Sequence, residues 1–273
     1  MPTSTTTVSS IFGRFFLKPW VAITFVLCVS FSLKVALRLF LSQHLDFWES
    51  GYSFYYKMAL NFLQTGELYL QNEHGLYLAD KLYAIRTPLY PFFIAIIGKW
   101  THFSVVAFVI VQALISTLTV VVVYKIAARF NSKAAFLSAL LYALYPYSLF
   151  HDTQLQENVL YNFLSLMSVW SLLVSVEKNK NLLFFLSGSA LGFCVLTRAS
   201  HLVHTFFLII FLFYKLRKNV KKVLVPISLI LLGLLLTLSP WIIRNKRVVG
   251  SFTITSLTGG TLAEAHNEFT FLY

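Results

Sequence analysis

Charge is what this chain has least of. Only 12% of its 273 residues are Asp, Glu, Lys or Arg, while 58% are hydrophobic; a soluble globular domain carries roughly 25% and about 45–50%. That shortage excludes an ordinary water-soluble domain. With a mean hydropathy of +0.73, the chain reads as a polytopic membrane protein. Acids are scarcest: 10, against 22 Lys and Arg, for a net charge of +12. In a soluble protein this excess would suggest nucleic acid. Between apolar segments it marks cationic cytoplasmic loops instead, and no nucleic-acid partner is expected. Cysteine is nearly missing. Cys28 and Cys194 both lie in apolar runs and read as small buried residues, not as a disulfide or a metal site. The opening MPTSTTTVSSIFGRFFLKPW has no small-residue cleavage site behind a short apolar core, so residues 20–41 read as a retained span. Internal repeats and low-complexity linkers are absent as well.

What the chain has in quantity is long apolar runs. A spanning helix needs about 20 mostly apolar residues, which predicts spans near 20–41, 104–126, 134–150, 158–176, 182–198, 201–216 and 223–243. The piece PLYPFFIAIIGKW at 88–100 is too short to cross and reads as an interfacial or re-entrant helix started by Pro88 and Pro91. The expected fold is all-α: one polytopic bundle of about seven spans over 1–273. Its large outer loop, 42–103, carries interfacial amphipathic helices, and an outer tail occupies 244–273. Cations at Arg14/Lys18, Arg129/Lys133, Lys178/Lys180 and Lys215–Lys222 place those ends, and the N-terminus, in the cytoplasm.

The acids then fall almost entirely on the other side. Asp46, Glu49, Glu67, Glu73, Asp80, Asp152, Glu157, Glu264 and Glu268 are outer, and Glu177 alone is inner. Acids contribute little to topology. The skew therefore suggests outward-facing chemistry, with solvated loop surface as the plain alternative.

Four constellations lie on that side. Asp46 and Glu49 stand where the first span leaves the membrane, where partial desolvation makes a carboxylate a better general base. YSFYYKMALNFLQTGE has helical apolar spacing and a stop at Gly66, an amphipathic helix lying on the bilayer; Arg86 follows in RTPLYP. His151, Asp152 and Glu157 come together in the next outer loop and could ligate a divalent metal, although their spacing matches no tight motif. Glu157 also suits a helix N-terminus. Arg198 ends an apolar helix, and SPWIIRN brings Trp241, Arg244 and Asn245 to the end of the last span. Each arginine alone would serve as an interfacial anchor. A pair of them can clamp a phosphate with forked, charge-assisted hydrogen bonds.

The ordered stretches ALNFLQTGELY, RTPLYPFFIA, ALYPYSLFHDTQLQENVLYNFL, GFCVLTRAS and SPWIIRNKRVVGSFTITSLTGG resemble the GT-C membrane glycosyltransferases. The likeness is closest to the bacterial protein-mannosyltransferase-like and aminoarabinose-transferase-like branch, glycosyltransferase family 39 type. It covers about Asp46 to Gly260. The resemblance implies an integral membrane enzyme, in a bacterial cytoplasmic (inner) membrane, that uses a polyprenyl-phosphate-linked sugar on the non-cytoplasmic face. It makes Glu49 the first choice of base and Asp46 the second. Arg198, Arg244 and Arg86 would hold the donor phosphate, with Glu157, Asp152, Asn245 and Trp241 in support. The acceptor would be a lipid, protein or glycan; no cofactor is fixed beyond that possible metal. Two departures stand out. Many relatives carry an Asp where Gly51 stands, four residues before Tyr55. Relatives also continue through further spans, so the chain is expected to be an N-terminal portion.

Two other readings compete: a lipid or polysaccharide-precursor transporter or flippase, and a non-catalytic truncated relative. Transport needs a polar path across the bilayer. The intramembrane cations Lys34 and Arg38 share one helix and the spans hold no acids, which counts against it.

Overall fold

In the computed structural model, residues 19–42, 46–49, 52–72, 79–216 and 220–257 are described. Arg14, Lys18, Gly51, Glu73, Glu264 and Glu268 lie outside them. The described chain is helical almost throughout. Helix α1 covers Pro19–Ser42, α2 Ser53–Thr65, α3 Leu89–Thr101, α4 Val105–Ala127, α5 Ser132–Leu144 and α6 Pro146–His151. Then come α7 Asn158–Lys178, α8 Asn181–Thr197, α9 His201–Leu216 and α10 Val220–Val249. One hairpin interrupts them: β1, Tyr69–Gln71, pairs antiparallel with β2, Lys81–Tyr83, in the register Tyr69↔Tyr83.

Among the described residues, four helices are long and apolar enough to cross a membrane: Trp20–Leu41, Val105–Ala127, Asn158–Lys178 and Val223–Val249. The other three expected spans are shorter. Residues 134–150 split because Pro146 forces Tyr145 into extended backbone (ψ 116°), ending α5 and restarting the chain as α6. Helices α8 and α9 have 17 and 16 residues, about 25 Å at 1.5 Å per residue, short of a bilayer core of about 30 Å.

The last helix departs from expectation in the opposite direction. It does not stop at Pro240–Trp241 but runs through Pro226 and Pro240 to Val249 and ends at Gly250, whose φ of +81° suits only glycine. The tail expected from residue 244 therefore begins about one and a half turns later. Packing outweighs the two lost hydrogen bonds. Helices α8 and α10 approach so closely that a Cβ on Gly188 would strike the Ile230 carbonyl, and one on Gly233 the Phe185 carbonyl. Glycine is required at both positions by that contact.

Helix α2 forms where its spacing predicts and ends at Gly66 (φ +77°), whose N–H bonds the Phe62 carbonyl. It buries Tyr55, Met58 and Ala59, and packs on α3. Aromatic rings bind this corner. Trp48 stacks on Tyr56 at 4.6 Å, and Tyr55 meets Tyr90 edge-on at 5.0 Å. At the other end of the bundle, Arg129 pairs with Glu177 at 2.8 Å and Lys125 sits over Trp170, tying the end of α4 to the end of α7. The cysteines divide: Cys194 is buried, but Cys28 is exposed on the outside of α1, and both are free.

Candidate functional site

A cavity of about 970 Å³ opens where five segments meet. Tyr55 comes from α2, Arg86 and Thr87 from the approach to α3, Glu157 from the entry to α7, and Arg198–Ser200 from the α8–α9 turn. Residues 252–255 and Leu257, beyond α10, close the remaining side. This last strap is stitched down by its backbone. Ser256 N–H donates to the Ala84 carbonyl (2.8 Å) and the Thr255 hydroxyl to the Ile85 carbonyl (3.0 Å). The Trp241 indole and the Asn245 amide donate to the Ile254 and Thr253 carbonyls, each at 2.8 Å. Thr87 donates to the Thr197 carbonyl at 2.7 Å, fixing the approach to α3 against the end of α8.

Glu157 and Arg198 are the centre of the wall. Nη2 of Arg198 lies 2.6 Å and Nε 3.2 Å from one Glu157 oxygen, and Nη2 also donates to Asn158 Oδ1 at 2.8 Å. Below the guanidinium lies the Tyr161 ring, 4.9 Å from it. Burial alone would weaken the hold of Arg198 on its proton, but the Glu157 hydrogen bonds and charge outweigh it, so its pKa is raised. Tyr55 lines the cavity beside the same carboxylate. Burial, then the Glu157 charge, push its phenol well above the ordinary range, so it remains a neutral donor. Arg86 differs. Its guanidinium lies over the Phe54 ring at 4.5 Å and has no carboxylate partner among the described residues. Two guanidinium groups against one carboxylate leave the wall with an unneutralised positive charge.

The other predicted site residues go elsewhere. Arg244 lines a second, largely apolar cavity of about 600 Å³ between α2, α3, α8 and α10. Its guanidinium is held by the Leu68 carbonyl (2.8 Å), Asn245 Oδ1 (2.9 Å) and the Trp241 ring (4.7 Å). It does not share a cavity with Arg198 and Arg86. Trp241 and Asn245 act on the strap.

Asp46 and Glu49 line neither cavity. The Asp46 carboxylate accepts the backbone N–H of Trp48 (2.8 Å) and Glu49 (3.3 Å), closing a turn. Glu49 is exposed. Both stand near Tyr56, whose phenol pKa is raised by burial first and then by their charges.

Asp152 is 1% exposed, an acid inside the bundle where the sequence suggests none. It accepts from Ser116 and Ser148 at 2.5 Å and from Asn162 at 3.4 Å, and its charge acts on the fully buried Lys34. His151 pairs with Gln156 at 3.1 Å. His151, Asp152 and Glu157 thus have separate partners, and the described residues gather no group of three or more His, Cys, Asp or Glu side chains. These residues do not fit a metal centre.

Sequence reasoning passed over Tyr55, the strap and the buried amide of Gln112. For Gln112 a signal existed: one amide side chain within the apolar run of α4.

The bundle and its arginine-bearing cavity define an integral, multi-pass helical membrane protein. Its sequence matches the dolichyl-phosphate-mannose-protein mannosyltransferase family over residues 85–243, more than half of the chain, and the chain belongs to that family. It is thus glycosyltransferase-like, of the GT-C type. The match includes Arg86, Asp152, Glu157, Arg198 and Trp241; Asp46, Glu49, Arg244 and Asn245 lie outside it. No curated protein matches the chain.

Proposed function

We propose that the chain moves a sugar from a polyprenyl-phosphate donor to a hydroxyl-bearing acceptor on the non-cytoplasmic face of the membrane, with the cavity of Arg86 and Arg198 receiving the donor phosphate. The observation that carries this reading is the excess of one positive charge on that wall. Among the described residues, Arg86 faces the cavity without an anion of its own, while Arg198 is anchored by Glu157.

The reaction is an inverting displacement. The acceptor oxygen bonds to the anomeric carbon, and the bond from that carbon to the phosphate oxygen breaks. The electron pair leaves with the polyprenyl phosphate. The acceptor proton passes to a carboxylate. Arginines that oppose the phosphate charge stabilise the leaving group as it departs.

Glu157 is poorly suited to take the proton, because its charge is already bound to Arg198. Glu49 is exposed, makes no ion pair among the described residues and leads into α2, whose Tyr55 lies on the wall. It remains the first choice of base, with Asp46 behind it in the turn. The proposed orientation, N-terminus inside, follows the cations.

The test is binding of undecaprenyl-phosphate-mannose to the purified chain in nanodiscs, followed by transfer. Arg86→Ala and Arg198→Ala each abolish binding on this reading. Glu49→Gln with Asp46→Asn leaves binding intact and stops transfer. Wild-type binding that survives both arginine changes would sink the donor site; transfer that survives the double acid change would sink the base.

A further inference from the structure

We infer that Gln112 is the positioning residue for the cavity's carboxylate, holding Glu157 against Arg198 from the middle of α4. Gln112 is fully buried in a helix whose other residues are overwhelmingly apolar. An amide there is unfavourable unless its hydrogen bonds are made. Both of its N–H groups are used. One reaches the Gln154 carbonyl at 3.0 Å and the other the Tyr90 hydroxyl at 3.2 Å.

Each bond begins a route to Glu157. Gln154 lies three residues before Glu157 in the connection between α6 and α7, and its side chain is gripped again by Arg38 at 3.1 Å. Tyr90 packs edge-on against Tyr55 at 5.0 Å, and Tyr55 lines the cavity together with Glu157. One amide therefore constrains the backbone that leads to the carboxylate and, through Tyr90, the packing of the phenol that shares its cavity.

The orientation of the amide is dictated by its neighbours. A flip would set Oε1 against the Gln154 carbonyl oxygen, acceptor against acceptor. Gln112 Oε1 has no partner among the described residues, so the two donated bonds account for the choice of glutamine there. Methionine would fill the same volume and make neither bond.

The consequence for donor binding rests on the sugar-donor reading, whereas the placement of Glu157 does not, and the experiment separates the two. In nanodiscs, Gln112→Met is expected to weaken undecaprenyl-phosphate-mannose binding by about tenfold, and Tyr90→Phe by less. In a Glu157→Gln background, Gln112→Met should add nothing, because its effect passes through that carboxylate. Full additivity overturns the inference, since a merely structural residue would weaken both backgrounds alike. In the ligand-free protein, amide hydrogen exchange of residues 152–158 should accelerate in Gln112→Met while the interiors of α7 and α8 keep their protection. Unchanged exchange in that connection overturns the inference whatever the ligand. If the wild type binds no donor but the connection loosens, the donor reading fails and the positioning role stands. Should Gln112→Met not fold, Tyr90→Phe, which deletes one hydroxyl, carries both measurements.

Discussion

Arg198 Nη2 lies 2.6 Å from the Glu157 carboxylate, joining the end of α8 to the start of α7. Arg198 remains 40% exposed, so water screens the pair and its worth to stability is about 1 kcal/mol. Its worth to an anionic ligand is larger, because the pair aims the guanidinium. Glu157→Gln should lower the unfolding free energy by about 1 kcal/mol and weaken donor binding by about tenfold or more. Thermal melting and titration calorimetry on the same nanodisc preparation compare the two.

Arg244 should behave in the opposite way. It closes contacts with Leu68, Asn245 and Trp241 and leaves the larger cavity untouched. Arg244→Ala is expected to cost about 1–3 kcal/mol and to leave donor affinity within twofold or so of wild type. A loss of binding at unchanged stability would return Arg244 to the phosphate site.

The seam between α8 and α10 sets a steric test. Gly188→Ala introduces a methyl group against the Ile230 carbonyl. Overpacking of this kind costs about 1–3 kcal/mol, against a gain of about 1 kcal/mol in helix propensity. A net loss in melting temperature is expected, and a larger loss for Gly188→Val. Gly66→Ala, where a Cβ meets nothing, should cost through its positive φ alone.

Asp152 should tolerate little. Asp152→Ala strands the Ser116, Ser148 and Asn162 donors and leaves Lys34 buried without the negative charge that acts on it. Removing one member of a buried charged set costs about 3–5 kcal/mol. Poor yield of folded protein, or a melting temperature lower by many degrees, is the expected outcome.

The hairpin carries a pH signature. Hydrogen bonds from Tyr83 and then from Lys81 hold Glu67 below the ordinary carboxylate range. The folded state therefore releases this proton more readily than the unfolded state. The contribution is fully present above the unfolded value of about 4.3 and fades as pH falls through the lower folded value. The protection of the β1 and β2 amides, corrected for the intrinsic exchange rate at each pH, should fall below about pH 4, and Glu67→Gln should remove that dependence.

Legibility in the sequence followed the length scale of each feature. Spans with about 20 apolar residues declared themselves, as did α2, because Gly66 stops a helical pattern that begins just after Tyr52. Strands of three residues are too short for any periodicity, so β1 and β2 were invisible. The break after Tyr145 was written in Pro146, yet Pro240 did not end its helix, because the glycine seam with α8 lies farther back and holds α10 in place. Arg86, Arg198 and Arg244 all read as outer arginines at element ends. Only the fold separates the two that share a cavity from the one that does not. Asp152 looked like loop surface because its three donors come from α4, α6 and α7, which no local pattern connects.

The strap across the cavity has a consequence for biosynthesis. Tyr55, Arg86, Glu157 and Arg198 are all in place once about 200 residues have been made and inserted, but the wall that closes over them is drawn from residues 252–255 and Leu257. Its anchors, Ala84 and Ile85, have waited on the ribosome's far side for some 170 residues. Until that stretch is made, the two cavity arginines lack the wall that residues 252–255 and Leu257 supply. A nascent chain arrested just after α10 would therefore hold every charged wall residue named here and still lack one side of the cavity.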